Sequence, residues 1–528
     1  MCPPGDEPQE IDRNEEHSGQ GASQGGLPNR PGEFAGGIEA LARRTTGVVI
    51  GCQVLSQIVS LAALFCLYKL LKPEDFGLFY MVLPPVMFLR LFSTMGLNQA
   101  AVWQAELPGS QVSTLFWCQV VLGLLVAGAI ALMAPALGWL YGVELVVPLT
   151  LFMSGSSVVV ALSAVPQALL ERRLLLARLA LLRLSAQATG SLVAVLLAWK
   201  TSSVWALPLG HYAELFLLAL GMIFFAGWRP GPVAPLRQMR DLFHFGGFYT
   251  ASNVMFNLAQ SVDKVIVGAL LGPRALGWYS QAYQLAHKSV HLVSTPLGTV
   301  MLPLLARTDS GSEVRQKLST GFYRVTAWCL LPAGAGLAIV ADEVVEVLGP
   351  LWQPVAPLLR VFAIMLLAQG WMNNTAHLFA ASGKTRQLFL CGLFWSVAVA
   401  SGIATTAMLC HNWGFSIEQS TLWIAWTIVG LTLSIIVPYM TLAALSTQLC
   451  ATSWLRGAIA PALATGAMAM SLLLCKPFFT SVVGELRPLP LLALEIFIGI
   501  CVYILFAGYS LRRDFRLMAN ERKKIASN

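Results

Sequence analysis

The sequence predicts an all-α polytopic membrane protein with about 14 transmembrane helices, and three observations carry this prediction. Charged residues are only 11% of the 528 residues and hydrophobic residues 56%, whereas a soluble protein would carry about 25% charged residues. Apolar runs long enough to cross a bilayer, which takes about 20 residues, recur along the whole chain. The sequence around residues 70–79 also returns 200 positions later.

The first 42 residues differ from the rest of the chain because they are rich in Pro, Gly and Glu. We expect residues 1–42 to form a disordered cytoplasmic tail, since they lack the apolar core of a signal peptide. Short loops separate the apolar runs that follow, and none of these loops has room for a folded domain. The predicted spans are roughly 46–70, 78–101, 112–134, 144–170, 178–199, 203–227, 243–271, 277–303, 320–341, 355–381, 387–409, 419–445, 456–475 and 489–511.

The repeat divides most of the chain into two similar parts. The shared positions are Leu70, Leu71, Pro73 and Gly77, which recur as Leu270, Leu271, Pro273 and Gly277. An internal repeat in a membrane protein is typical of transporters. Because six spans separate the copies, both copies have the same orientation, and we predict two six-helix lobes related by pseudo-two-fold symmetry. The lobes are residues 43–228 and 229–446, followed by helices 13 and 14 in 447–511 and a basic cytoplasmic tail in 512–528.

The distribution of basic residues predicts the orientation in the membrane. If both termini are cytoplasmic, the cytoplasmic segments hold 22 Lys and Arg residues and the opposite segments hold 6. This asymmetry follows the positive-inside rule, so it accounts for the net charge of +8 without a nucleic-acid partner. The ten cysteines are scattered and lack the spacing of a metal site or of a disulfide framework.

Two neighbouring spans carry polar side chains at steps of three and four residues, which keeps these side chains on one helix face. On span 7 they are Tyr249, Asn253, Asn257, Gln260 and Lys264, and on span 8 they are Gln281, Gln284, Lys288, His291 and Thr295. In the first repeat, Gln53, Gln57 and Ser60 occupy the positions of Asn253, Asn257 and Gln260. A polar stripe on a spanning helix is expected to face a bundle interior or a wet cavity rather than lipid.

Several stretches of the chain resemble the polysaccharide-transporter (Wzx-like flippase) family, which shares a superfamily with MATE drug exporters and lipid II flippases. These stretches are residues 70–77, 95–100, 263–272, 275–283 and 302–307. The resemblance, which runs from about residue 45 to about 445, implies a flippase that moves undecaprenyl-pyrophosphate-linked oligosaccharide across the bacterial inner membrane by alternating access. It implies no cofactor, and as partners the lipid-linked oligosaccharide, membrane lipids, a polysaccharide polymerase and glycosyltransferases.

Such a substrate presents a pyrophosphate, which binds cations, and sugar hydroxyls, which bind amides. We therefore predict a substrate cleft with the candidates Lys288, Lys264, Asn257, Gln260, Asn253, Gln281, Gln284, Gln53, Gln57 and Arg90. Lys288 lies near mid-depth, where the cost of burying a charge argues for a role in the cleft. For Lys264 the alternatives are a structural ion pair, with Asp263 or with a residue of a neighbouring helix, and snorkelling of the side chain to the outer interface. Asp263, His287 and His291 are candidates for coupling transport to a proton or to sodium.

Two other functions remain open from the sequence. One is a MATE-type exporter of drugs or organic ions, which the intramembrane cations disfavour for cationic drugs. The other is a membrane-embedded glycosyltransferase or polymerase, which would need carboxylates on a sizeable outer loop. In this chain only the loop 341–354, with Asp342, Glu343 and Glu346, offers such carboxylates.

Overall fold

The computed structural model of the chain describes residues 31–98, 108–235, 239, 250, 261–306, 308, 312–447, 452–482 and 490–508. Within these ranges the regular secondary structure is helical, with a short 3-10 turn at Pro350–Trp352. In chain order the α-helices are α1 (Pro31–Leu70), α2 (Pro73–Thr94), α3 (Gly109–Tyr141), α4 (Val146–Ser154), α5 (Ser156–Arg172), α6 (Leu176–Thr201), α7 (Ala206–Ala226), α8 (Val262–Ala306), α9 (Glu313–Ile339), α10 (Ala341–Leu348), α11 (Val355–Ile364), α12 (Leu366–Ala381), α13 (Thr385–Asn412), α14 (Ile417–Thr447), α15 (Thr452–Val482) and α16 (Pro490–Gly508).

The described residues contain 11 helices long and apolar enough to cross a membrane, or 12 if α11 and α12, which bend by 47° at their junction, form one span. The chain is therefore a multi-pass membrane protein, as predicted. The remaining two predicted spans are not among these candidates. Span 7, 243–271, lies mostly outside the described residues. Span 8, 277–303, lies in α8, which also contains the end of span 7 before the break at Gly272.

Several element boundaries differ from the prediction. α1 already begins at Pro31, inside the predicted tail, although the apolar span within it begins at Gly47. The predicted fourth span is two helices, α4 and α5, which meet at Gly155. The loop 341–354 contains α10, whose Val and Leu side chains are buried on one side. Short breaks of this kind interrupt the helical geometry without interrupting the apolar run, so hydropathy alone does not reveal them.

The two ends of the bundle are distinguished by the first tight connection. We call the end that holds the α1–α2 connection at residues 71–72 the turn face, and the opposite end, where the apolar part of α1 begins, the tail face. Trp352 lies at the turn face, because its indole nitrogen donates to the carbonyl oxygen of Tyr68 at 2.9 Å. Three exposed tryptophans, Trp139, Trp199 and Trp413, lie at helix ends on this face. Exposed tryptophans are enriched at the membrane–water interface.

The hydrophobic core joins the two parts of the molecule at the turn face but is divided into separate clusters towards the tail face. We call residues 31–239 the N half and residues 261–447 the C half. On the turn-face side one continuous cluster joins the halves, with Phe76 and Met81 from the N half and Trp278 and Phe362 from the C half. Towards the tail face, the buried clusters among the described residues each stay within one half, apart from Trp454 of α15 in the C-half cluster. Within the described ranges, the halves therefore share a core at the turn face and have no common buried cluster towards the tail face.

The last two helices pack on the outside of the C half. Tyr503 of α16 donates its hydroxyl hydrogen to the carbonyl oxygen of Trp328 on α9 at 2.6 Å. Lys476 of α15 forms an ion pair with Glu343 of α10 at 2.8 Å. Together with α8 and α9, α15 and α16 surround an apolar cavity of about 360 Å³. This pair of helices is thus attached to the C half by both apolar and charged contacts.

Candidate functional site

The site is built around a break in α8, which lies where the two repeat copies meet. Gly272 has φ 81° and ψ −177°, a conformation open to glycine, and it interrupts the helix just before Pro273. The repeat turns then pack on each other reciprocally. A Cβ atom added at Gly77 would overlap the carbonyl of Pro273, and a Cβ added at Gly277 would overlap the carbonyl of Pro73. The equivalent positions of the repeat are thus in contact with each other.

The polar stripe of span 8 faces the N half. The hydroxyl of Tyr68 donates to Oε1 of Gln281 at 2.7 Å. Nε2 of Gln284 donates to the hydroxyl oxygen of Tyr80. These bonds join α8 to α1 and α2 across the seam between the halves. Gln281 and Gln284, both predicted as cleft residues, therefore have partners from the other half in this conformation.

Lys288 continues the same stripe towards the tail face. Its ammonium group donates to Oγ of Ser60 at 3.1 Å. In the part of the chain that the structure describes, no carboxylate forms an ion pair with Lys288. Exposure along the stripe rises from fully buried at Gln281, through half-buried at Lys288, to exposed at His291. Within the described residues, Lys288 thus has a neutral hydroxyl and no carboxylate as its partner, at the point of the stripe where exposure begins to rise.

Lys264 has different surroundings. Its ammonium group lies 3.3 Å from Oδ1 of Asp263 and 4.9 Å from the centre of the Tyr283 ring. The second carboxylate oxygen of Asp263 accepts a hydrogen bond from the Tyr279 hydroxyl at 2.7 Å. The charges of Lys264 and Asp263 therefore compensate each other inside the C half.

A small polar pocket of about 80 Å³ lies beside this ion pair, enclosed by α8, α12, α13 and α14. His287 and Gln369 line it and are hydrogen-bonded through Nδ1 and Oε1 at 2.8 Å. Asp263, Tyr283, Asn373 and Thr432 also contribute to its wall. His291 packs edge-on against His287, with ring centres 4.6 Å apart. The three predicted coupling residues, Asp263, His287 and His291, are thus close together.

The remaining predicted residues fall into two groups. Gln53 and Gln57 are half-buried on α1, and Arg90 on α2 lies near Glu214 of α7, within the N half. Among the described residues, Arg90 has no hydrogen bond to a residue of α8. Asn253, Asn257 and Gln260 lie outside the described residues.

The tyrosines that contact these groups are not among the predicted site residues. Tyr68 and Tyr80 stand alone in apolar runs, where a tyrosine is usually a packing residue, so no pattern singles them out. Tyr279 and Tyr283 do carry a signal. They precede His287 and His291 at steps of four, which places all four rings along one side of α8. Tyr283 stacks on both neighbours, with ring centres 6.3 Å from Tyr279 and 5.1 Å from His287.

Comparison with known proteins places the chain among membrane proteins of polysaccharide synthesis. Residues 66–357 match the model of a family described as polysaccharide biosynthesis protein. The chain is 23% identical to the teichuronic acid biosynthesis protein TuaB of Bacillus subtilis, over 62% of this chain and 70% of that protein. It is 25% identical to the succinoglycan biosynthesis transport protein ExoT of Rhizobium meliloti, over 72% of this chain and 78% of that protein.

A solved structure of the lipid II flippase MurJ in an inward closed conformation has the same fold. It superposes with a TM-score of 0.66 and 14% identity, over 87% of this chain and 99% of that chain. At this level of identity the likeness concerns the fold. The fold and the sequence relatives are the ones expected from the stretches around the repeat turns.

Proposed function

Because the chain belongs to the polysaccharide biosynthesis protein family, we propose that it is a flippase for lipid-linked oligosaccharide. It translocates an undecaprenyl-pyrophosphate-linked oligosaccharide across the bacterial inner membrane for the synthesis of a surface polysaccharide. The names of its relatives support this function, since one is a polysaccharide transport protein and a structural neighbour is a lipid II flippase. These names also indicate that the chain is a transporter rather than a glycosyltransferase or polymerase. The observation that carries the proposal is the ammonium of Lys288, which among the described residues bonds to a neutral hydroxyl of the other half and forms no ion pair.

The architecture that we propose has 14 spans, with two six-helix lobes and two further helices. The 12 candidate spans, together with α8 and the predicted span 243–271, reach this number. The division of the buried clusters into one shared core and separate half-specific cores supports two lobes that move as units. Two bodies that meet at one end and separate at the other are suited to alternating access.

We place both termini and the tail face in the cytoplasm. The excess of Lys and Arg in the tail-face segments supports this orientation. Here the structure has the form of a carrier that is closed towards the outside. The substrate is made on the cytoplasmic side, so an opening at the tail face would admit it.

Within this carrier, Lys288 binds the pyrophosphate, and Gln281, Gln284, Gln53 and Gln57 bind sugar hydroxyls. Lysine acts here as a point charge for a phosphate group. Asn253, Asn257 and Gln260 belong to the same proposal because they occupy the positions equivalent to Gln53, Gln57 and Ser60. Lys264 and Arg90 have surroundings within a single half, which makes them secondary candidates for the substrate.

The proposed transport uses no cofactor, and a proton or sodium ion is the candidate for coupling. The proximity of Asp263, His287 and His291 around one polar pocket supports them as the coupling groups. Membrane lipids, the polymerase and the glycosyltransferases of the same polysaccharide are the proposed partners, with no nucleic acid among them.

The test is complementation of a strain from which the gene is deleted. Deletion should abolish surface polysaccharide and trap full-length lipid-linked oligosaccharide in the inner leaflet, and the wild-type chain should restore export. Lys288→Ala should reduce export by about tenfold or more, since a hydrogen bond to a charged group contributes roughly 1.5–3 kcal/mol. Lys317→Ala, at an exposed lysine that pairs with Glu313 on α9, is the matched control and should export normally.

The amounts of both variants in the membrane must match the wild type. Normal export by Lys288→Ala would show that this cation is structural. Unchanged surface polysaccharide with altered drug tolerance in the deletion strain would instead indicate an exporter, and precursors that lack a sugar would indicate an enzyme.

A further inference from the structure

Four polar contacts join the halves in a single row along α8. The ion pair between Arg274 and Glu74, at 3.1 Å, lies nearest the turn face. The contacts of Gln281, Gln284 and Lys288 follow in order along the helix, with Tyr68, Tyr80 and Ser60 as their partners. We call this row the zipper. Each contact pairs a group of α8 with a group of α1 or α2, so the halves cannot separate at the turn face without breaking all four.

The zipper uses the same groups that the proposed function assigns to the substrate. The amide oxygen of Gln281 is engaged by Tyr68, and its amide nitrogen is buried without a hydrogen-bond partner among the described residues. Lys288 has only the neutral Ser60 hydroxyl as its hydrogen-bond partner in the same part of the chain. A pyrophosphate is a stronger acceptor for an ammonium group than a neutral hydroxyl, because both groups of the pair then carry charge.

We propose that Tyr68 and Tyr80 are gate residues, which hold the turn face closed. They are displaced when the substrate binds the polar stripe of span 8. The inference rests on the proposed function for the identity of the substrate. The pyrophosphate binds Lys288 first, since this residue makes the contact of the zipper that lies nearest the tail face, and releases Ser60. Sugar hydroxyls then compete with the two tyrosine hydroxyls for Gln284 and Gln281. Substrate binding thereby removes the contacts that close the other end of the carrier.

The surroundings of the zipper explain why the two tyrosines matter more than the terminal ion pair. Arg274 and Glu74 are exposed, with 53% and 39% of their side-chain surface accessible, so solvent weakens their attraction. Tyr68 is 2% exposed and Gln281 is fully buried. Breaking their bond at the closed seam leaves buried polar atoms without partners unless the halves separate.

The test measures how often the turn face opens. In a background without native cysteines, Ala275→Cys places a thiol at a fully buried position beside the zipper. Its labelling rate with a maleimide is followed in the purified full-length protein. The double change Tyr68→Phe and Tyr80→Phe should raise that rate about ninefold, taking about threefold for each intramembrane hydrogen bond lost. Tyr212→Phe is the matched control, because the Tyr212 hydroxyl bonds to Phe152 within the N half at 2.5 Å, and its rate should change less than twofold.

A second reporter, Leu71→Cys, lies in the connection between α1 and α2 at a position that is 3% exposed, so it replaces Ala275→Cys if that variant does not fold. Undecaprenyl pyrophosphate serves as the substrate probe and should raise labelling when Lys288 is present but not in Lys288→Ala. The gate proposal would be overturned if the double tyrosine variant and the wild type had equal labelling rates. It would also be overturned if Tyr212→Phe raised the labelling rate as much as the double variant does. Normal surface polysaccharide in the deletion strain would overturn the proposed function, whereas the effect of the tyrosine changes on labelling decides the gate separately.

Discussion

Two lysines on α8 illustrate how surroundings decide the role of a single residue. Lys288 faces a neutral hydroxyl at the seam between the halves, whereas Lys264 faces a carboxylate inside the C half. The side chains of Lys264 and Asp263 are 12% and 10% exposed, so little solvent screens their attraction. Removing one partner of such a pair leaves the other charge buried, which usually costs more than the pair contributes.

We therefore expect Lys264→Met to destabilise the protein by about 3 kcal/mol, because Asp263 then remains charged and buried. The double variant Lys264→Met with Asp263→Asn should recover most of this loss, since neither charge is left alone. Thermal unfolding of the purified proteins in detergent measures both effects. If the double variant is as unstable as the single one, the ion pair is not the reason for the destabilisation.

At the scale of elements, the contact between the repeat turns depends on two glycines. Gly77→Ala and Gly277→Ala each insert a methyl group where the other turn's proline carbonyl lies. Overpacking of this kind costs about 1–3 kcal/mol, so each variant should unfold at a lower temperature than the wild type. Gly128→Ala on α3 meets no atom within 4 Å and is the matched control. It should be neutral or slightly stabilising, because alanine is the better helix former. If all three variants unfold at the same temperature, close packing of the turns is not the reason that glycine is required at residues 77 and 277.

The repeat turns also show which structural features the sequence predicts and which it does not. The offset of 200 residues predicts that Pro73 and Gly77 correspond to Pro273 and Gly277. It does not predict that each glycine lies against the other proline, because a repeat gives equivalence but not contact. Helical spacing likewise predicts that Gln281, Gln284 and Lys288 share a face. The partners of that face come from α1 and α2, about 200 residues away in the chain, and local periodicity contains no information about them.

The polar pocket in the C half also could not be predicted from the spacing of residues within one helix. His287 and Gln369 are both recognisable as polar residues within spans, and their bond joins α8 to α12. The spacing of polar residues within one helix says which side they occupy but not which of the other helices lies there. Asp263 and Lys264 illustrate the converse, because adjacent opposite charges in an apolar run make their pairing one of the alternatives that the sequence offers, and the structure shows it.

For the whole molecule, the distribution of the core determines which motion is possible. The halves share one buried cluster at the turn face, while the clusters described towards the tail face each stay within one half. A tightly packed core resists gradual deformation, so the halves are expected to move as rigid bodies between two packed arrangements. Such a movement must close the tail face as it opens the turn face.

This movement predicts opposite distance changes at the two ends of the molecule. Spin labels at Leu174 of the N half and Lys384 of the C half, both exposed at the tail face, should approach each other when undecaprenyl pyrophosphate is added. Labels at Trp139 and Trp413, both exposed at the turn face, should move apart under the same conditions. Pulsed electron resonance measures both pairs, and a pair within one half, Leu174 and Trp139, is the control and should keep its distance. Distances that change in the same direction at both ends, or that do not change in a protein that still exports glycan, would contradict the rigid-body movement. Opposite changes in the two pairs would connect the shared core at the turn face to alternating access. Two rigid halves keep the substrate path closed at one end only if the tail face closes when the turn face opens.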